Sequence, residues 1–156
     1  MQNTVRFIGL DVHKETIMIA VAEQQGEAQV HKKVPNDSPR ILKELRKLQR
    51  GGCELKVCYE AGPLGFGLQR FLKSKGIPCD VEAPSLIPVR SGERIKTDRR
   101  DARKLAHFLR SGDLTPIWIP DEQTEAIRDL ERAREDARLG ATLSFRHTHL
   151  TKRYVF

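Results

Sequence analysis

Residues 5–34 read VRFIGLDVHKETIMIAVAEQQGEAQVHKKV, and this stretch decides the fold class. It contains three apolar runs, VRFIGLDV at 5–12, TIMIAVA at 16–22 and AQVHKKV at 28–34. Runs of this length, separated by short polar segments such as QQGE, are typical of β-strands joined by turns. The close spacing therefore predicts a three-stranded antiparallel meander at the start of the chain.

The pattern then changes to an alternation of helices and strands. Three helices are predicted, at 38–50 with Ser38 as the N-cap, at 62–75 starting at Gly62-Pro63, and at 97–110. Strands are predicted between them, at 54–60 and 77–82. The order βββαβαβα, followed by a last helix over 121–138, predicts an α/β fold with a mixed sheet flanked by helices.

This is the ribonuclease H-like, or RuvC-like, order, in which the first strand is central and the fourth strand lies beside it. Asp11 follows the apolar part of the first strand, and Glu60 ends the fourth. In that fold the two carboxylates are neighbours at one edge of the sheet. The fold analogy supplies this adjacency, because the spacing alone does not prove it.

A second pair of acids opens the basic helix KTDRRDARKLAHFLR, residues 96–110. Asp98 and Asp101 are three residues apart, so on a helix they face the same way. Carboxylates are the ligands that hard divalent cations select, and two such cations activate water and stabilise the oxygens of a phosphate under attack. The candidate catalytic and metal-binding set is therefore Asp11, Glu60, Asp98 and Asp101, holding two Mg²⁺ or Mn²⁺ ions.

Each of these acids also has a purely structural explanation. Acids in a first helical turn complement the helix macrodipole, so Asp98 and Asp101 alone are weak evidence of a metal site. Glu82 also ends a predicted strand, and Glu15 lies close to Asp11 in the sequence. The spacing by itself therefore leaves both as alternative members of the set.

The charge balance indicates a polyanionic partner. The chain has 28 Lys+Arg against 21 Asp+Glu, a net charge of +7, and the basic side chains concentrate around the acidic pair. Such an excess favours nucleic acid through counterion release. The alternative, a solvated helix face, stays open. The side chains predicted to contact phosphates are Arg94, Lys96, Arg99, Arg100, Arg103 and Lys104.

The cysteines and the hydropathy pattern indicate a compartment. The three cysteines are an odd number without CxxC spacing, which predicts a reduced cytoplasmic protein without a disulfide frame or a zinc site. No apolar run approaches membrane-spanning length, so no membrane partner is expected. Trp118, flanked by prolines and isoleucines, is interpreted as an apolar clasp over the sheet, with base stacking as the alternative.

Four segments, GLDVHK, CYEAGPLGFGL, VEAPSLIPVRSGERIKTDRRDARKLA and LTPIWIPDEQTEAIRDLERAREDAR, resemble the DEDD transposases of bacterial insertion sequences over residues 5–138. The resemblance implies a RuvC-like domain whose metal site has Asp11 bridging two ions, with Glu60, Asp98 and Asp101 completing their shells. It further implies DNA held in a junction-like complex and, as in better-studied members, a guide RNA as a partner.

The resemblance stops near Arg138, whereas family members continue into a C-terminal domain that supplies a nucleophilic serine. The predicted organisation is a RuvC-like DEDD domain at 1–115, an extended segment and linker helix at 116–138, and an aberrant tail at 139–156, compatible with disorder. The predicted function is metal-dependent DNA strand cleavage and exchange in insertion-sequence transposition, incomplete in this chain.

The sequence also suggests two alternative functions. The first is a non-catalytic DNA- or RNA-binding remnant that competes with or pairs with full-length relatives; a homo-oligomer is a further expected partner. The second is a sugar-kinase-like or actin-like ATPase, because GLDVHKET resembles the first phosphate loop of those proteins. That loop needs a small residue where His13 and Lys14 stand, and the chain is too short for two lobes.

Overall fold

The computed structural model describes residues 4–62, 64–88 and 97–151, with side chains as far as residue 139. The chain divides into two compact units, Met1–Ile117 and Trp118–Phe156. None of the described helices combines the length and the apolar composition needed to cross a bilayer.

Five strands form one mixed sheet in the first unit. The meander consists of β1 (Val5–Val12), β2 (Thr16–Ala22) and β3 (Gln29–Pro35), which pair antiparallel in that order. On the other side of β1, β4 (Glu54–Glu60) pairs parallel, and β5 (Cys79–Glu82) pairs parallel with β4. The spatial order β3-β2-β1-β4-β5 confirms the predicted ribonuclease H-like arrangement, with the first strand central and the fourth beside it.

Four α-helices are described. In the first unit these are α1 (Ser38–Leu48), α2 (Gly67–Ser74) and α3 (Asp98–Ser111), together with a short 3₁₀ turn at Pro84–Leu86. The second unit contains α4 (Glu122–Thr151). The described part of the predicted loop at 83–95 is this turn and its flanks, and its remainder lies outside the described residues.

Asp37, and not Ser38, caps α1. The Asp37 Oδ2 atom accepts a hydrogen bond from the Arg40 backbone amide at 3.3 Å, while Ser38 already belongs to the helix and Pro39 fills its first turn. The prediction of Ser38 as the cap was wrong by one residue, because aspartate and serine are equally good caps and the sequence offers both. Proline in the first turn loses no helical hydrogen bond.

The start of α2 also differs from the prediction. The helix begins at Gly67, five residues after Gly62, and residues 64–66 form a turn in which Gly65 has φ 67°. Glycine destabilises a helix interior by about 1 kcal/mol relative to alanine, so a segment with three glycines favours a turn. Pro63, which the sequence placed in the first helical turn, lies outside the described residues.

The last helix continues beyond its predicted end near residue 138. α4 extends to Thr151 and therefore includes most of the segment predicted as an aberrant tail. The segment after Arg138 contains one glycine and no proline, so nothing in its composition forces the helix to stop there. The predicted tail residues 152–156 lie outside the described residues.

A close contact between α3 and β1 sets the position of the helix on the sheet. A Cβ atom built on Gly9 would lie 2.2 Å from the Ala102 carbonyl oxygen and 2.5 Å from the Ala106 amide nitrogen, so only glycine fits. Ala102, Leu105 and Ala106 on this helix are buried. At the last turn of α3, Phe108 is buried and Leu109 is half-buried, because the aromatic ring has more apolar surface to cover.

Candidate metal centre

Asp11 and Glu60 lie at the same edge of the sheet and on the same face. β1 and β4 are parallel, with Leu10 opposite Tyr59, so the next residues of the two strands are Asp11 and Glu60. Side chains alternate between faces along a strand. Since Gly9 contacts α3, Asp11 two residues further on points to the α3 face, and Glu60 shares that face.

The first turn of α3 brings a third carboxylate to this edge. Thr97 caps the helix, its Oγ1 accepting a hydrogen bond from the Arg100 amide at 3.4 Å, and Asp98 follows directly. The Asp98 side chain meets two nitrogen groups from outside its helix: Lys33 Nζ donates to its Oδ2 at 2.9 Å, and His13 Nε2 lies 3.5 Å from its Oδ1. The helix start is thereby joined to β3 and to the β1–β2 turn.

His13 is the member of the site that the sequence prediction missed. Its Nε2 atom lies 2.9 Å from Asp11 Oδ2, and one ligand atom each from Asp11, His13 and Asp98 lie within 4.8 Å of one another. The signal was present in GLDVHK, because a residue two positions after a strand-end aspartate can share its face.

Within the described residues, this group at ligand distance includes Asp11, His13 and Asp98 and leaves out Glu60 and Asp101. Asp101 is nevertheless close enough for its charge to act on Asp11. Glu60 is placed beside Asp11 by the strand register. The structure therefore gathers all four predicted acids at one edge, with two of them in direct proximity.

The electrostatics of the edge show competing charges. The pKa of Asp11 is raised, first by burial and then by the negative charges of Asp101 and Asp98, and the hydrogen bond with His13 opposes this. The pKa of Asp98 is lowered, mainly by its hydrogen bond with Lys33. Carboxylates at this separation repel one another, and nearby cations relieve that repulsion.

The two rival acids differ from the cluster in their surroundings. Glu82 lies one strand further along the same edge, paired in register with Glu60, and is only 1% exposed. Its Oε2 atom has no hydrogen-bond partner among the described residues, and burial, followed by the charge of Asp80, raises the pKa of Glu82 to about 7. Glu15 is exposed in the β1–β2 turn, outside the group at ligand distance.

The structure describes four of the six side chains that the sequence predicts to contact phosphates. Arg94 and Lys96 lie outside the described residues, whereas Arg99 and Arg100 are exposed on the first turn of α3. The Arg103 guanidinium donates to the Ala28 carbonyl at 2.7 Å, which ties α3 to the start of β3. Lys104 Nζ lies 5.9 Å from the centroid of the Phe108 ring. Phosphate binding by these side chains stays a prediction.

Trp118 does not form the predicted buried clasp. Its side chain is 67% exposed, and the Arg128 guanidinium lies over its ring, 5.5 Å from the centroid. Before it, Pro116 forms a bridge with Glu82, and the Ile117 amide donates to the Val81 carbonyl at 2.8 Å. The extended segment is thus fixed to the sheet by its backbone, which does not require the indole to be buried.

The strand order and the acidic edge define a ribonuclease H-like α/β domain with a candidate metal centre. The family model DEDD_Tnp_IS110, described as a transposase, matches residues 8–142. The chain therefore belongs to the IS110-type DEDD transposase family, as its motifs predicted.

Two curated relatives agree with this assignment. The chain is 47% identical over 133 residues to "Putative transposase y4qE" of Sinorhizobium fredii, an alignment that covers 84% of this chain and 34% of that protein. It is 41% identical over 135 residues to the transposase for insertion sequence element IS1533 of Leptospira borgpetersenii, covering 85% and 39% respectively. The chain thus spans little more than a third of the length of these relatives.

Among solved structures, the catalytic core domain of BIV integrase matches this chain at 16% identity and a TM-score of 0.32, and the match covers 67% of this chain and 64% of the integrase chain. This similarity is weak, and the fold assignment rests on the strand order and directions instead.

Proposed function

We propose that this chain is the metal-dependent catalytic domain of an insertion-sequence transposase, which cleaves and exchanges DNA strands. One observation carries the proposal: side-chain ligand atoms of Asp11, His13 and Asp98 converge within 4.8 Å at the edge of a ribonuclease H-like sheet. Glu60 and Asp101 lie at the same edge. The four acids are the set that the family resemblance assigns to the metal site.

The residues present fit a divalent metal. Carboxylate oxygens are the donors that Mg²⁺ and Mn²⁺ prefer, and the Lys33 ammonium balances only part of the negative charge of the acids at this edge. We assign Asp11, Glu60, Asp98 and Asp101 as the residues that would hold two ions. When bound, such ions activate water and stabilise the attacking and leaving oxygens at a phosphate.

The proposed substrate is DNA. The net charge of +7 and the exposed Arg99 and Arg100 beside the acidic edge support phosphate contacts there. A guide RNA, further copies of the chain or longer relatives are proposed as partners from the family resemblance alone. The proposed location is the cytoplasm, where the three cysteines would stay reduced.

Calorimetric titration with Mn²⁺ tests the metal site. We expect the wild-type chain to bind Mn²⁺ and Asp11→Asn to lose at least about tenfold in affinity, because it removes a charged oxygen donor. Asp113→Asn is the matched control, since Asp113 is exposed beyond the C-terminal end of α3. Equal affinity in wild type and Asp11→Asn would contradict the proposal.

Cleavage of branched DNA tests the reaction. The incubation should contain Mn²⁺, with Asp11→Asn as the inactive control and with binding measured over a range of salt concentrations. Metal-dependent cleavage supports the catalytic proposal. Salt-sensitive binding of DNA or RNA without cleavage supports the non-catalytic alternative.

A further inference from the structure

We propose that His13 is itself a ligand of the metal ion, which makes the centre a mixed nitrogen and oxygen site. This inference rests on the proposed metal site and adds a residue to the four acids of the family motif. It predicts a consequence that the acids alone do not have, namely a preference among divalent cations.

The positions of the ligand atoms support direct coordination. His13 Nε2 lies 2.9 Å from Asp11 Oδ2 and 3.5 Å from Asp98 Oδ1. Two ligands at right angles on an ion with bonds of about 2.1 Å are about 3 Å apart, so these spacings suit neighbouring positions in one coordination shell. The imidazole is therefore already where a third ligand would stand.

The backbone around His13 is fixed before any ion binds. The His13 amide donates to the Thr16 carbonyl at 2.9 Å, and the His13 carbonyl accepts a hydrogen bond from Asn36 Nδ2 at 2.8 Å. The Asn36 backbone amide in turn donates to the Glu15 carbonyl at 3.0 Å. These bonds close the β1–β2 turn against the end of β3. A ligand on such a turn loses little conformational freedom on binding.

The side chain is also accessible. His13 is 51% exposed, while its partner Asp11 is 16% exposed, so an ion can reach the imidazole from solvent. A neutral imidazole donates a lone pair without adding negative charge to an edge that already carries several acids. Imidazole nitrogen suits transition metals such as Co²⁺, whereas Mg²⁺ prefers oxygen donors. His13 should therefore strengthen Co²⁺ binding far more than Mg²⁺ binding.

Calorimetric titration of His13→Ala with Co²⁺ and with Mg²⁺ tests this. We expect the variant to lose about tenfold or more in Co²⁺ affinity and less than about threefold in Mg²⁺ affinity. His31→Ala is the matched control, because His31 lies 3.7 Å from Glu44 and takes no part in the cluster. All proteins should carry His147→Ala and His149→Ala, so that those imidazoles do not compete for cobalt. The visible absorption of bound Co²⁺ should change in His13→Ala and stay unchanged in His31→Ala.

The outcomes separate this inference from the proposed function. Unchanged Co²⁺ affinity in His13→Ala, or an equal loss for both ions, overturns direct ligation, while the Asp11→Asn titration still decides the acidic site. A wild-type chain that binds none of these ions overturns the proposed metal site and the role of His13 together.

Discussion

Replacing Gly9 with alanine should force α3 away from β1. The new methyl group would lie 2.2 Å from the Ala102 carbonyl oxygen, 2.5 Å from the Ala106 amide nitrogen and 2.9 Å from Leu105 Cβ. Ordinary van der Waals contact begins near 3.4 Å, so the helix must shift by about 1 Å. Overpacking costs about 1–3 kcal/mol, and we expect about 2–3 kcal/mol because two of the three clashing atoms are backbone atoms that cannot rotate away.

Urea denaturation followed by circular dichroism measures this loss as a change in the free energy of unfolding. A loss of 2–3 kcal/mol corresponds to a fall in Tm of roughly 8–12 °C for a domain of this size. Gly67→Ala is the control, because a Cβ there meets no atom within 4 Å and Gly67 is the first residue of α2. The control should be neutral or stabilised by up to about 1 kcal/mol.

The same variant should weaken metal binding. Asp98 is on the first turn of α3, so a shift of the helix moves its carboxylate relative to Asp11 on β1. Mn²⁺ affinity should therefore fall in Gly9→Ala and be retained in Gly67→Ala. If the free energy of unfolding of Gly9→Ala lies within about 0.5 kcal/mol of the wild-type value and the variant keeps its Mn²⁺ affinity, the close contact between α3 and β1 does not position the site.

Three further predictions concern charges and a helix cap. Burial raises the pKa of Glu82 to about 7, above its ordinary 4.5. Between pH 4.5 and 7 the folded chain therefore keeps a proton on Glu82 that the unfolded chain has lost, so the free energy of unfolding falls as the pH rises over this range. Glu82→Gln should remove this pH dependence, which amounts to roughly 2–3 kcal/mol between pH 4.5 and 8 in urea denaturation. If the free energy of unfolding of the variant falls with pH as steeply as that of the wild type, Glu82 is not the group responsible. Asp37→Ala should lower the free energy of unfolding by about 1 kcal/mol through loss of the α1 cap, and a wild-type Tm would reject the cap. Lys33→Met should tighten Mn²⁺ binding several-fold, because the Lys33 ammonium competes with the ion for Asp98. Lys32→Met should leave Mn²⁺ binding unchanged, because Lys32 pairs with Glu44 instead.

Local patterns sufficed for most of the fold. The apolar runs predicted β1, β2 and β4 with the bounds that the structure has, because strand periodicity and turn residues act over a few neighbours. The start of α2 was less predictable, since a glycine-rich entry leaves several starts of similar energy. The exposure of Trp118 was also missed, because apolar flanking residues do not report whether a backbone bridge already fixes the segment.

The sequence alone predicted the strands through their periodicity and the family through motifs that are contiguous in the chain, and the strand order followed by analogy with the ribonuclease H-like fold. Only the tertiary structure decided which side chains meet. Lys33 and Asp98 are 65 residues apart yet hydrogen-bonded, and His13 contacts both Asp11 and Asp98. Such contacts depend on where α3 lies across the sheet. Glycine at position 9 sets that position, because only a residue without a side chain lets the helix backbone pack so closely against β1.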